Sequence, residues 1–161
     1  MKRITIELQW AAVFFAMTLL WMLLEKTVGL HDTYIDKQAI YNNLIAIPAI
    51  AIYVFALLHK RKKYYGGDMT YGQGVTCGLI MTAFITLLSP LAQYITSTFI
   101  TPQYFTNAIK YAVSKGYSTP AEAQAYFNLQ SYSIQGLIGA PMMGVITTLI
   151  VAAFTKRTKP V

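Results

Sequence analysis

Cysteine is almost missing from this chain, with Cys77 standing alone. One thiol argues against a disulfide-stapled scaffold. Charge is scarce too. Asp, Glu, Lys and Arg make up 12% of the residues, about half of the roughly 25% usual in soluble domains. Acids number only six, against 13 bases and two histidines. So little charge excludes a disordered, self-repelling segment and argues against a nucleic-acid-binding arm. H-E-x-x-H, G-x-S-x-G and Walker A sequences are absent as well. Gly72-Gln73-Gly74-Val75-Thr76-Cys77 misses the dinucleotide fingerprint, because Cys77 takes the place of the third glycine.

What the chain does have is apolar length. Hydrophobic residues are 55% of its 161, and the mean hydropathy is +0.45. A soluble domain of this size leaves about a third of its chain surface in water, too much for so apolar a composition. The class that remains is an all-α integral membrane protein, read as one membrane domain over residues 1–161. A hydrocarbon core of about 30 Å takes about 20 residues of helix. Four stretches are long enough: residues 4–24, 39–58, 72–100 and 134–154. The third exceeds one perpendicular crossing, so it tilts, bends at Ser89-Pro90, or emerges at one end. The first is too long for the 7–15-residue core of a secretory signal and reads as a retained helix.

Four spans place both termini and the loop between spans two and three on one side. That side carries Lys2, Arg3, Lys60, Arg61, Lys62, Lys63, Lys156, Arg157 and Lys159, against the acids Glu7 and Asp68. The other side carries Lys26, Lys37, Lys110 and Lys115, balanced by Glu25, Asp32, Asp36 and Glu122. The basic side is therefore expected to be cytoplasmic. Lys60, Arg61, Lys62 and Lys63 read as a topology signal at anionic lipid head groups, with a docking site as the other reading. A nucleic-acid partner is not implied. Trp10, Trp21, Tyr64 and Tyr65 suit the head-group level.

Local signals punctuate the connections. Gly66-Gly67 turns the chain, with Asp68 placed to cap the third span, and Thr33 with Asp36 is nearly a capping box. Between spans three and four lie residues 101–133. Thr101-Pro102 marks a helix start, Gly116 a stop, and Thr119-Pro120-Ala121-Glu122 a second start with a capping box. These signals predict two short extracytoplasmic helices, near 102–115 and 120–130. Tyr104, Phe105, Tyr126 and Phe127 form a candidate surface for a ligand or partner; the plainer reading is a cap on the bundle.

Chemistry-bearing residues are few. His31 and His59 fall on opposite faces, about 30 Å of hydrocarbon apart, so one metal cannot take both and bis-histidine haem is excluded. Glu25, His31, Asp32 and Asp36 are the one outer cluster, read as caps and solvated loop residues. No metal or cofactor is expected. Glu7 lies three residues into the first span, close enough to the interface to reach water, and is the one candidate proton site. Small residues recur at helix-packing spacing: Gly74 and Gly78 on the third span, and Gly136, Ala140 and Gly144 leading into Thr148 and Ala152 on the fourth. In lipid such stripes let backbones approach closely. Pro48, Pro90 and Pro141 each lie inside a span.

Three segments together resemble one family. They are Gly66-Gly67-Asp68-Met69-Thr70-Tyr71-Gly72-Gln73-Gly74 entering a span, Ile100-Thr101-Pro102 leaving it, and the close Leu149-Ile150-Val151-Ala152-Ala153-Phe154-Thr155-Lys156-Arg157. The pattern is similar to domain of unknown function 4199. The resemblance implies four helices in the inner membrane of Bacteroidota-type bacteria. It brings no established activity and no site residues.

The expected role is a non-enzymatic inner-membrane protein, an accessory or binding component. Its segment 101–133 would meet a lipid, a small apolar ligand, a membrane-protein partner or a second copy. The alternative is a small homodimeric proton-coupled transporter using Glu7.

Overall fold

The structure, a computed structural model, describes residues 4–158. Lys2, Arg3 and Lys159, which enter the charge count, lie outside them. The described residues form helices α1 (Thr5–Thr27), α2 (Ile35–Tyr41), α3 (Ala46–Lys63), α4 (Tyr71–Ile95), α5 (Tyr104–Ser114), α6 (Pro120–Tyr126) and α7 (Leu129–Thr155). A 3₁₀ turn over Asn42–Ile45 joins α2 to α3, and a π-helical turn over Thr96–Ile100 extends α4. Pro48 falls in the first turn of α3, just after the 3₁₀ turn.

Four helical runs are long and apolar enough to cross a membrane: Thr5–Thr27, Ile35–Lys63, Tyr71–Ile100 and Leu129–Thr155. Their outer faces are apolar, with Leu87 73% and Phe154 84% exposed. In water such a surface would be an aggregation liability. In a bilayer it is the ordinary boundary with lipid.

Helix α4 is central and packs on α1, α3 and above all α7. The α4–α7 seam explains why the small residues recur every four positions. A methyl group on Gly78 would overlap Thr148, and one on Gly144 would overlap Thr82 and lie 2.9 Å from the Tyr53 hydroxyl. Each helix thus offers a glycine to the other's threonine. Thr82 also donates to the Gly78 carbonyl at 2.9 Å and bonds the Tyr53 hydroxyl at 2.8 Å, tying in α3. Gly74 continues the seam against Ala152, at 3.2 Å from an added methyl. Gly136 does not belong to the tight part. An added methyl there would meet Ser89 Oγ at an ordinary 3.4 Å, and at Gly139 it would meet nothing within 4 Å. The seam is closed near Gly78 and Gly144 and relaxes toward Ser89 and Gly136.

Several expected caps are corrected. Thr70, not Asp68, caps α4: its hydroxyl accepts from the Gln73 N–H, and the Gln73 side chain accepts in return from the Thr70 N–H. That reciprocal box satisfies two donors, where Asp68 stands two residues too early. No side-chain cap forms at α2, whose Ncap is Tyr34. Helix α5 starts at Tyr104 rather than Pro102, because Thr101 is buried as the end of the π turn, its N–H bonded to the Thr96 carbonyl at 2.7 Å. Gly116, at φ +70°, ends α5 as expected. Thr119 and Glu122 form the expected capping box on α6. That helix stops at Tyr126, since Asn128 begins α7 by accepting from the Ser131 N–H.

Candidate functional site

Helix α1 carries two carboxylates, Glu7 and Glu25, inside an apolar sequence. They are 18 residues apart, five turns at 3.6 residues each, so both face the bundle interior. Both are buried, and their surroundings differ.

Glu7 meets Lys60 of α3. Its two oxygens lie 2.8 and 3.1 Å from the Lys60 ammonium, and the two residues are 1% and 2% exposed. This corrects two expectations. Glu7 does not reach water, and Lys60 is not a head-group base. The three residues after Lys60 divide the remaining work: Arg61 donates to the Thr155 carbonyl at the end of α7 at 2.8 Å, while Lys62 and Lys63 stay exposed. Lys60 also lies 4.1 Å from the Tyr64 ring centroid. Trp10 donates to His59 Nδ1 at 3.0 Å, joining α1 to α3 a turn further in. Met69 and Arg157 exchange backbone hydrogen bonds of 2.7 and 2.9 Å. Every helix of the bundle is stitched at this end.

Glu25 meets an imidazole, an indole and an amide instead. Gly29, at φ +81°, reverses the chain after α1, and Leu30 N–H returns to the Glu25 carbonyl at 2.9 Å. The reversal lays His31 over the Glu25 side chain. His31 Nε2 donates to Glu25 Oε2 at 3.0 Å, Trp21 to Oε1 at 2.7 Å, and Gln38 to Oε2 at 3.3 Å. Asn107 of α5 holds the His31 carbonyl at 3.0 Å. His31 is 6% exposed, and among the described residues its Nδ1 has no partner. Among the described residues no three His, Cys, Asp or Glu side chains come together to hold a metal, so Asp32 and Asp36 do not complete a shell around Glu25 and His31.

Of the candidate surface residues Tyr104, Phe105, Tyr126 and Phe127, the first two line a cavity and Tyr126 stays half exposed. All four converge on Tyr132 at the start of α7, with ring centroids 5.2–6.3 Å away. Tyr104 also packs on His31 at 5.0 Å and bonds the Tyr132 hydroxyl at 3.2 Å. Burial pushes the Tyr104 phenol above its ordinary value, so it remains a neutral donor. The α5–α6 segment is thus roofed onto the bundle through these rings.

Beneath that roof lie two cavities. The larger, about 280 Å³, opens where the α4–α7 seam relaxes and is walled by Phe14, Phe15, Ile85, Leu88, Gly139 and Ala140 among others. The smaller, about 170 Å³, is walled by His31, Gln38, Asn42, Thr101, Tyr104 and Phe105. Met22, Gln93, Thr96 and Tyr132 line both. Sequence reasoning missed Gln38, Gln93 and Tyr132. The signal available was Gln93, an uncharged amide inside an otherwise apolar span.

The fold and this interior define a class: an all-helical multi-pass membrane protein with two adjoining cavities that share a wall. Within that class the chain belongs to the family described as a protein of unknown function (DUF4199), whose model matches residues 9–157. No curated protein and no solved structure matches the chain.

Proposed function

We propose that this protein is a non-enzymatic accessory component of a bacterial inner membrane that holds a small hydrophobic ligand beneath the α5–α6 segment. The observation that carries the reading is a pair of adjoining, mostly apolar cavities whose shared wall carries the Gln93 amide and the Thr96 and Tyr132 hydroxyls. Ligand sites are mostly apolar with a few placed polar groups, and span roughly 300–1,000 Å³. The larger cavity is at the lower edge of that range. The basic residues support an orientation with both termini cytoplasmic and α5–α6 outside.

Gly139→Leu tests the site, because its side chain would enter the larger cavity without striking the seam. Retention of a fluorescent fatty-acyl probe by detergent-solubilised protein should fall at least several-fold, with melting unchanged. Undiminished retention would sink the proposal. Proton-coupled uptake into liposomes that disappears in Glu7→Gln would overturn it in favour of a transporter. Orientation is read with single cysteines at Lys62 and Ser118 in a Cys77→Ser background. An impermeant reagent added outside should label position 118 alone; labelling of 62 alone would invert the topology.

A further inference from the structure

The cavity walls also select the chemistry of their occupant, an assignment that rests on the ligand-binding reading. Gln93 is the informative residue. It lines both cavities, in the wall that they share. The hydrogen bonds of the neighbouring amide Gln38 are spent on Glu25 and Tyr104. Among the described residues Gln93 has no such side-chain partner, although an unpaired amide in a span is costly. Close by stand the Thr96 hydroxyl and the wall residue His31, whose Nδ1 is the nitrogen left without a partner.

Charge narrows the choice further. Among the described residues lining either cavity there is no Lys or Arg, so a phosphate or carboxylate head would find no counter-ion. It would also stand near the Glu25 carboxylate, one hydrogen bond behind His31. A cationic head would need to strip its water for a carboxylate already accepting three bonds. A neutral group that both donates and accepts suits this wall.

The geometry points to a single-chain lipid alcohol: its apolar chain fills the larger cavity, and its hydroxyl lies against Gln93, donating to Oε1 and accepting from Nε2. The volume, about 280 Å³, suits one chain rather than the paired chains of a phospholipid. Thr96 and His31 complete the polar wall.

The test uses the full chain in nanodiscs and three diazirine-bearing probes of one chain length: hexadecanol, its methyl ether and its monophosphate. The ether cannot donate, and the phosphate adds negative charge. The alcohol should label peptides of α4 and α7 and bind roughly tenfold more tightly than either analogue, the worth of about one hydrogen bond. Gln93→Leu removes no hydrogen bond within the protein, so the fold is kept. It should lower alcohol binding to the level of the ether and leave the ether unchanged. Equal binding of alcohol and ether, or a preference for the phosphate, would overturn the lipid alcohol while the cavity still holds a chain. Labelling by none of the three would overturn the ligand-binding reading itself.

Discussion

The two ends of α1 solve the same problem in opposite ways. At one end a carboxylate is buried with an ammonium from α3; at the other a carboxylate is buried among an indole, an imidazole and an amide. At 1.5 Å per residue the 18-residue separation is about 27 Å, close to the roughly 30 Å thickness of a hydrocarbon core. The separation of the two clusters thus matches the thickness of such a slab. The Lys60 end binds charge to charge and joins neighbouring helices directly, and none of its stitching residues lines either cavity. The Glu25 end holds its carboxylate with an imidazole, an indole and an amide, leaves His31 Nδ1 without a partner among the described residues, and gives His31 and Gln38 to the wall of the smaller pocket. One end is a clasp, and the other keeps a buried nitrogen unpaired among the described residues.

The sharpest way to break this comparison is to strand the charge at the clasp. Lys60→Met leaves Glu7 buried without its counter-ion, which should cost about 3–5 kcal/mol. Glu7→Leu combined with Lys60→Met should recover most of that loss, since a buried pair replaced by apolar groups is often neutral. Thermal melting in detergent checks both. Equal stability of the single and double variants would show that the pair is not a coupled unit. At the other end His31→Phe keeps the ring packing on Tyr104 but removes one of three bonds to Glu25. The expected loss is smaller, about 1.5–3 kcal/mol, the range for a hydrogen bond to a charged group. If His31→Phe destabilised as much as Lys60→Met, the distinction between clasp and pocket would fail.

The same contrast explains what can be read from the chain alone. Spans, the α6 capping box, the Gly116 stop and the close contacts of Gly74, Gly78 and Gly144 are local, periodic signals, and the structure keeps them. The Glu7–Lys60 pair crosses 53 residues. Within the run Lys60, Arg61, Lys62 and Lys63 nothing local singles out the one base that turns inward. The helical phase of α3 decides it, setting Lys60 on the face of Tyr53, Ala56 and Leu57. Likewise the aromatics of α5 and α6 are visible as residues but not as a roof. Their common target, Tyr132, lies in α7, and only tertiary packing brings it to them. Charge alone favours Asp68 as the α4 cap, whereas the reciprocal bond with Gln73 gives that place to Thr70.

The smallest effect expected concerns a third carboxylate, exposed rather than buried. Glu122 accepts from the Thr119 N–H at 2.8 Å and from its hydroxyl at 2.7 Å, and these bonds hold its carboxyl below the ordinary value. A depressed value in the folded state means that the carboxylate stabilises the α6 cap above the usual carboxylate range. That contribution is lost as pH falls through the depressed value. Because water surrounds the group, the loss should loosen the first turn of α6 without unfolding the bundle. The Thr119 amide resonance should therefore move in acid, in a range below that of free glutamate. In Glu122→Gln, whose amide oxygen can complete the box at any pH, the same resonance should hold still. A Thr119 resonance that titrates equally in both proteins would mean that some other group governs the cap. The roof's local order would then owe nothing to this carboxylate, unlike the ends of α1, where burial gives each acid its weight.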